Sequence, residues 1–365
     1  MSGRPVALAI LCLAAASLGA CSKPDSDAVS IYIWADYLAP DTFSAFEKAT
    51  GIKVHAAYFD NSETQESSVL TGHSGFDVVV PTGAFFRRQI GSGAYLPLDN
   101  SKLPNLVNLN PAIMARMAQN DPGNVYGVVY TWGTFGIGYN EKMVAQRLSG
   151  DPPNSWRLLF DPAYAAKLAP CGINFIDDPV GVVHLVLKYL GRNPNAPSGQ
   201  DFADVEKVLG SIRPFVRNID TSGEIEAIAN GDICISLGYN GDFVQARKRA
   251  ADAGNGITLG YLIPLEGSLQ WFDLLAIPRD APHVANAYAF INYLMNPKVM
   301  AHISNAIGFA SANAAATPLL DASIASDRVI YPTAEEQQRL FVSTDYSIEQ
   351  TRLVTRLWQK FRTAQ

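Results

Sequence analysis

Residues 30–59, SIYIWADYLAPDTFSAFEKATGIKVHAAYF, decide the fold. SIYIW alternates as a strand does. Pro40 then leads into DTFSAFEKAT, a helix with Asp41 as candidate N-cap and Phe43 and Phe46 on one face. Gly51 ends it, and IKVHAAYF resumes strand character. A short apolar run follows at 76–86, FDVVVPTGAFF, of the kind a parallel sheet buries on both faces. The first hundred residues therefore read as α/β. The middle of the chain continues in that style. SWRLLFDPAYAAKL, VGVVHLVLKYLG and DFADVEKVLGSIRPFV read as helices, and CGINFI as a strand. GDICISLGYNGDFVQARKRAADAG is strand, turn, helix. ITLGYLIP and LQWFDLLAIP are strands, and HVANAYAFINYLMNPKVMAHISNAIG is one or two apolar helices.

The segment between YTWGTFGIGYN (130–140) and ITLGYLIP (257–264) reads as a second α/β lobe inserted through two extended crossovers. The expected division is 30–131 with 258–305 for one lobe and 135–255 with 306–365 for the other. A length of 365 residues suits two domains. The composition, 48% hydrophobic and 17% charged, is that of a globular protein. A formal charge of −6 argues against nucleic acid or an anionic membrane surface as partner, since both need a basic face.

The first residues, MSGRPVALAILCLAAASLGACSK, carry Arg4 and then an apolar stretch from Val6 to Ala20, too short to span a bilayer comfortably. Residues 1–20 read as an export signal. Leu18-Gly19-Ala20-Cys21 resembles a bacterial lipoprotein signal, in which the cysteine after the cut is acylated. An ordinary signal peptide with a chance cysteine is the alternative. Residues 21–29 are polar and proline-bearing, as a tether would be. Of four cysteines, Cys12 leaves with the signal and Cys21 carries lipid. Cys171 and Cys234 remain, and an oxidising compartment favours pairing them; two buried free thiols are the other possibility.

Catalytic signatures are missing from the sequence. It has no G-x-S-x-G elbow, no phosphate loop and no H-E-x-x-H, and its five histidines are scattered. No cofactor and no metal site is expected. An exported two-lobed α/β protein of this kind reads as a binder. Ligands of open α/β sheets sit outside the carboxyl ends of the strands. There the chain places WADY after strand 30–34, PTG after 76–80, YNGD after 233–238 and QWFD in 270–277. Together they offer Trp34, Tyr37, Tyr239 and Trp271 with Asp36, Asp242 and Asp273. Ring faces attract ammonium groups and cover methylenes, and carboxylates bond the ammonium ends. Each residue also has a plainer reading. Asp242 suits a helix N-cap, and Trp34 and Tyr37 suit a staple over the Pro40 helix. Trp271 suits the core, and Asp36 and Asp273 suit pairing with structural arginines.

Over nearly all of residues 28–365 the chain resembles the periplasmic putrescine- and spermidine-binding proteins of polyamine ABC transporters. The resemblance rests on WADYLAPDTFSAFEKATGIKV, GFDVVVPTGAFFRRQ, LDNSKLPNL, GIGYN, AIANGDICISLGYNGD and INYLMNPKVMAHISNAIGFASANAAATP, in that order. It implies the type 2 periplasmic-binding-protein fold, two α/β lobes joined by a hinge with the ligand cleft between them. It also implies a ligand set of Trp34, Asp36, Tyr37, Thr82, Asp178, Tyr239, Asp242, Trp271, Asp273 and Phe309, and a disulfide between Cys171 and Cys234. Thr82 stands where a serine is common, and Tyr239 where a Trp is usual. Trp271 and Asp178 resemble the spermidine-preferring members. Three departures stand out: Ala35 replaces a hydroxyl residue, Phe309 a Tyr, and Gly181 the glutamate that pairs the distal amine.

The reading that results is a monomeric, lipid-anchored periplasmic protein, not an enzyme, that delivers spermidine or putrescine to an ABC permease. The alternatives are a binder of another cationic amine or a monoamine, or a ligand-responsive docking protein for a membrane sensor.

Overall fold

The computed structural model describes residues 27–35, 37–59 and 61–363. Among the described residues, eleven strands join in one hydrogen-bonded sheet: β1 Ala28–Trp34, β2 Lys53–Phe59, β3 Val78–Val79, β4 Gly127–Asn140, β5 Ile173–Phe175, β6 Asn218–Ile219, β7 Ile235–Tyr239, β8 Leu259–Leu262, β9 Ser268–Ala276, β10 Ala310–Ser311 and β11 Leu340–Val342. Their order is β2-β1-β3-β9-β4-β7-β5-β6, with β8 and β10 also on β4 and β11 on β9. β1 runs parallel to β2 and β3. The crossover between β1 and β2 is the helix Thr42–Thr50, closed by Gly51 at φ 78°. Only glycine adopts that left-handed turn cheaply. Asp41 precedes the helix without capping it; its carboxylate instead meets His302 at 2.7 Å. Val78, Val79 and Val80 are fully buried, as their unbroken apolar run requires.

Two strands carry the chain between lobes. Residues 127–134 of β4 pair with β9, and residues 135–140 pair with β7 and β8. β9 crosses back: Leu269 packs in the second core, Phe272 through Ile277 in the first. The return crossover is therefore β9 and not ITLGYLIP, whose β8 lies beside residues 137–140 and buries Leu259 against Ile228 and Phe243. Nor do residues 306–365 stay together. Ala310, Ala312, Ala316 and Ile330 fill the first core, whereas Val354, Leu357 and Phe361 of the helix Ile348–Thr363 fill the second. The apolar run after Pro297, with Met300, Ala301 and Ile303 in the first core, stays in that lobe. HVANAYAFINYLMNPKVMAHISNAIG forms two helices, Val284–Leu294 and Pro297–Ile307, with Asn296 capping the latter.

Cys171 and Cys234 are bonded, tying β5 to β7 in the second lobe. Among the described residues, no helix is long and apolar enough to cross a membrane. The export signal, Cys21 and most of the tether lie outside the described residues.

Candidate functional site

β9 places Trp271 and Asp273 two residues apart, so both side chains leave the same face of the sheet. Asp273 is 2% exposed. Tyr37, three residues past β1, donates its hydroxyl to Asp273 Oδ2 at 2.8 Å. Tyr130 holds Tyr37 in turn, its hydroxyl donating to the Tyr37 carbonyl at 2.7 Å. Thr82 forms an isolated antiparallel bridge with Asp273 at the start of the helix Gly83–Gly91. The ring of Phe309 lies 5.3 Å from Tyr37 and 5.7 Å from Trp271, edge-on to the indole. Trp34 ends β1 against Phe59 and Tyr37, at 4.4 and 6.1 Å between ring centres. Asp36 lies outside the described residues.

The second lobe supplies an opposing group. Tyr239 ends β7, and its hydroxyl donates to Asp178 Oδ2 at 3.1 Å. Asp178 is also the N-cap of the helix Pro179–Tyr189, its Oδ1 accepting from Gly181 N at 2.8 Å. That cap was legible in the Asp-Pro pair, which commonly opens a helix. Phe135 packs on Tyr239 at 4.7 Å. Asp242 stands in the first turn of the helix Asn240–Ala253 and not at its cap, which is Tyr239. The lobes touch where Phe309 covers Gly241; a Cβ there would lie 1.8 Å from the ring. Gly133 is held open likewise, since its Cβ would fall 2.3 Å from Trp271 and 2.2 Å from the Asn240 side chain.

The electrostatics are lopsided. Asp178, Asp242 and Asp273 form no ion pair with any Lys or Arg among the described residues. Asp273 Oδ1, Trp34 Nε1 and Trp271 Nε1 are buried without a hydrogen-bond partner. Burial pushes the Asp273 carboxyl up to about 7, against the partial relief its Tyr37 bond gives. Burial likewise raises Asp178 and Asp242. An isolated buried carboxylate is costly, and a proton or a cation relieves it. The arginine pairing considered for Asp273 is not found; a phenol takes its place. Sequence reasoning also passed over Glu224, which lies buried beside Asp242. An acid at the start of SGEIEAIAN looks like any first-turn glutamate.

Two α/β lobes sharing crossover strands, with aromatic rings and unpaired acids where they meet, define a solute-binding protein. Residues 41–330 match the bacterial extracellular solute-binding proteins, and the chain belongs to that family. It is 42% identical over 356 residues to the putrescine-binding periplasmic protein SpuD of Pseudomonas aeruginosa, covering 97% of each chain. It is 41% identical over 359 residues to the putrescine-binding periplasmic protein PotF of Escherichia coli, covering 98% of this chain and 96% of that one. Among solved structures, the spermidine/putrescine substrate-binding protein PotD of Streptococcus pneumoniae superposes with a TM-score of 0.81 at 26% identity, over 93% of this chain and 99% of the other. The mixed α/β architecture is that of these periplasmic binding proteins.

Proposed function

We propose that this chain captures a linear polyamine, putrescine or spermidine, outside the cytoplasm and presents it to an ABC permease. The observation that carries the reading is Asp273, a buried carboxyl with one oxygen bonded to Tyr37 and the other without a partner. An ammonium group satisfies that oxygen and the charge together. Trp271 and Trp34 offer ring faces and methylene cover near it. Asp178, bonded to Tyr239 in the opposing lobe, receives the far end of the ligand. Because the two ends rest on different lobes, the ligand binds the closed arrangement best and shifts the population toward it. No step of this makes or breaks a covalent bond.

The test is calorimetric titration with putrescine, spermidine, butylamine and an ω-amino acid. Polyamines are expected to bind most tightly. Heat from the monoamine or the ω-amino acid alone removes the diamine reading. The Leu18–Cys21 box supports a lipid anchor, with two or three acyl chains holding the protein at the membrane. Cys21→Ser should release it to the soluble periplasmic fraction; a wild type already soluble there counts against the anchor.

A further inference from the structure

Asp177 and Asp178 are consecutive acids between β5 and the helix Pro179–Tyr189, and the fold gives them different partners. Asp178 is extended, with φ −126° and ψ 91°, as a residue before proline prefers. Neighbouring side chains on extended backbone leave on opposite sides. Asp178 meets Tyr239, whereas Asp177 meets the helix Ile348–Thr363.

That helix buries Val354, Leu357, Trp358 and Phe361, spaced as one face of an α-helix. Phe361 sets its ring edge-on to Phe175, the last residue of β5, at 5.6 Å, and Trp358 lies beside Phe361 at 5.3 Å. Trp358 is 4% exposed, and a buried indole N–H needs an acceptor. It donates to Asp177 Oδ1 at 2.6 Å. Arg362, one turn further along, pairs with Oδ2 at 3.1 Å. The Asp177 backbone N–H donates to Thr221 Oγ1 at 2.9 Å. One residue earlier, the Ile176 N–H donates to the Leu237 carbonyl of β7 at 3.2 Å. The chain that enters Asp178 is thus fixed from several sides, and Pro179 stiffens the chain that leaves it. The bonds to Gly181 and Tyr239 orient the Asp178 carboxyl; the anchoring of Asp177 sets where its backbone stands. A recognition site depends on such placement to a fraction of an ångström.

We propose that Asp177, clamped by Trp358 and Arg362, is the positioning residue for Asp178, so that the last helix takes part in selecting a diamine over a monoamine. The inference rests on the amine reading above, in which Asp178 receives the far ammonium. Asp177 acts through the backbone of its neighbour and not on the ligand. Its loss should therefore be felt by a ligand long enough to reach Asp178. A monoamine held at Asp273 should not register it.

The experiment is calorimetric titration of the full protein with putrescine and with butylamine. Asp177→Ala should weaken putrescine about tenfold, within the range for residues that act on a site without touching its ligand, and leave butylamine unchanged. Asp177→Asn keeps an oxygen for the Trp358 indole and should lose less. In an Asp178→Asn background, Asp177→Ala should cost nothing further. Equal weakening of both amines, no weakening of either, or an undiminished loss in the Asp178→Asn background overturns the inference and leaves amine binding intact. Wild type that binds putrescine no more tightly than butylamine overturns the reading beneath it, and the inference with it. Should Asp177→Ala not fold, the indole N–H resonance of Trp358 in labelled wild type decides. It should move when putrescine is added and stay in place with butylamine; the same response to both overturns the inference.

Discussion

Tyr37 donates its hydroxyl hydrogen to Asp273 across 236 positions of sequence, at 2.8 Å. The bond joins the loop after the first strand to the returning strand β9. It satisfies Oδ2 and leaves Oδ1 buried without a donor among the described residues. One half of this carboxyl is thus held by the fold and the other is left for something else to hold.

Asp273→Asn is therefore expected to weaken polyamine binding by about 1.5–3 kcal/mol, the loss of one charge-assisted hydrogen bond. Trp271→Ala, which removes the indole face beside Phe309, should weaken it by about 0.5–2 kcal/mol. Calorimetric affinities unchanged in both variants would remove the amine site as described.

Stability without ligand should depend on pH with a definite sign. Asp273 has its carboxyl raised in the folded state to about 7 from the 3.8 expected of an exposed aspartate. Its contribution is present below the unfolded value and is lost as pH rises toward 7, because the unfolded chain gives up the proton first. The change amounts to about 4 kcal/mol for this one group. Asp178, Asp242 and Glu224 are raised as well and act in the same sense. Thermal unfolding of the free protein should fall between about pH 4 and 7. Asp273→Asn should flatten the fall, and polyamine should restore most of the loss. A melting temperature that climbs steadily over that range contradicts the assignment.

At Gly181 the space for a longer side chain is already taken. A Cβ there would lie 2.8 Å from Phe135 and 2.9 Å from Asp178 Oδ2. Gly181→Glu should accordingly destabilise the protein by about 1–3 kcal/mol and not improve diamine binding, since it pushes Asp178 off Tyr239. Combining it with Phe135→Leu makes room on one side and should recover part of the stability. Denaturant midpoints of the single and double variants measure this. A single variant as stable as wild type, binding putrescine more tightly, would show that the side chain finds another route.

The Cys171–Cys234 bond closes a sequence separation of 63 residues in the second lobe. Replacing both cysteines by alanine should lower the unfolding free energy by about 4 kcal/mol on the chain-entropy account. Urea titration of the variant beside wild type gives the value directly. A loss below about 1 kcal/mol would mean that the unfolded chain is already restricted there.

What the sequence by itself determined is local. The β1–helix–β2 unit was legible because alternation, a proline and Gly51 act within a few residues of one another. The buried Val78–Val80 run was legible from its lack of polar positions, and the acids and rings at strand ends from where the strands stop. Asp273 was legible as an unusual acid, but not as one bonded to Tyr37. Pairing and facing were decided only by tertiary structure. An apolar run such as ITLGYLIP states that it will be buried and not in which lobe, and β8 and β9 compete for the same description until β4 selects their places. Residues 310–330 stay in the first core for the same reason: burial is non-directional, and only shape assigns it. Glu224 was invisible because a first-turn glutamate is ordinary on a helix surface. It becomes singular only when the fold lays it on Gly238, away from the water that would have solvated it.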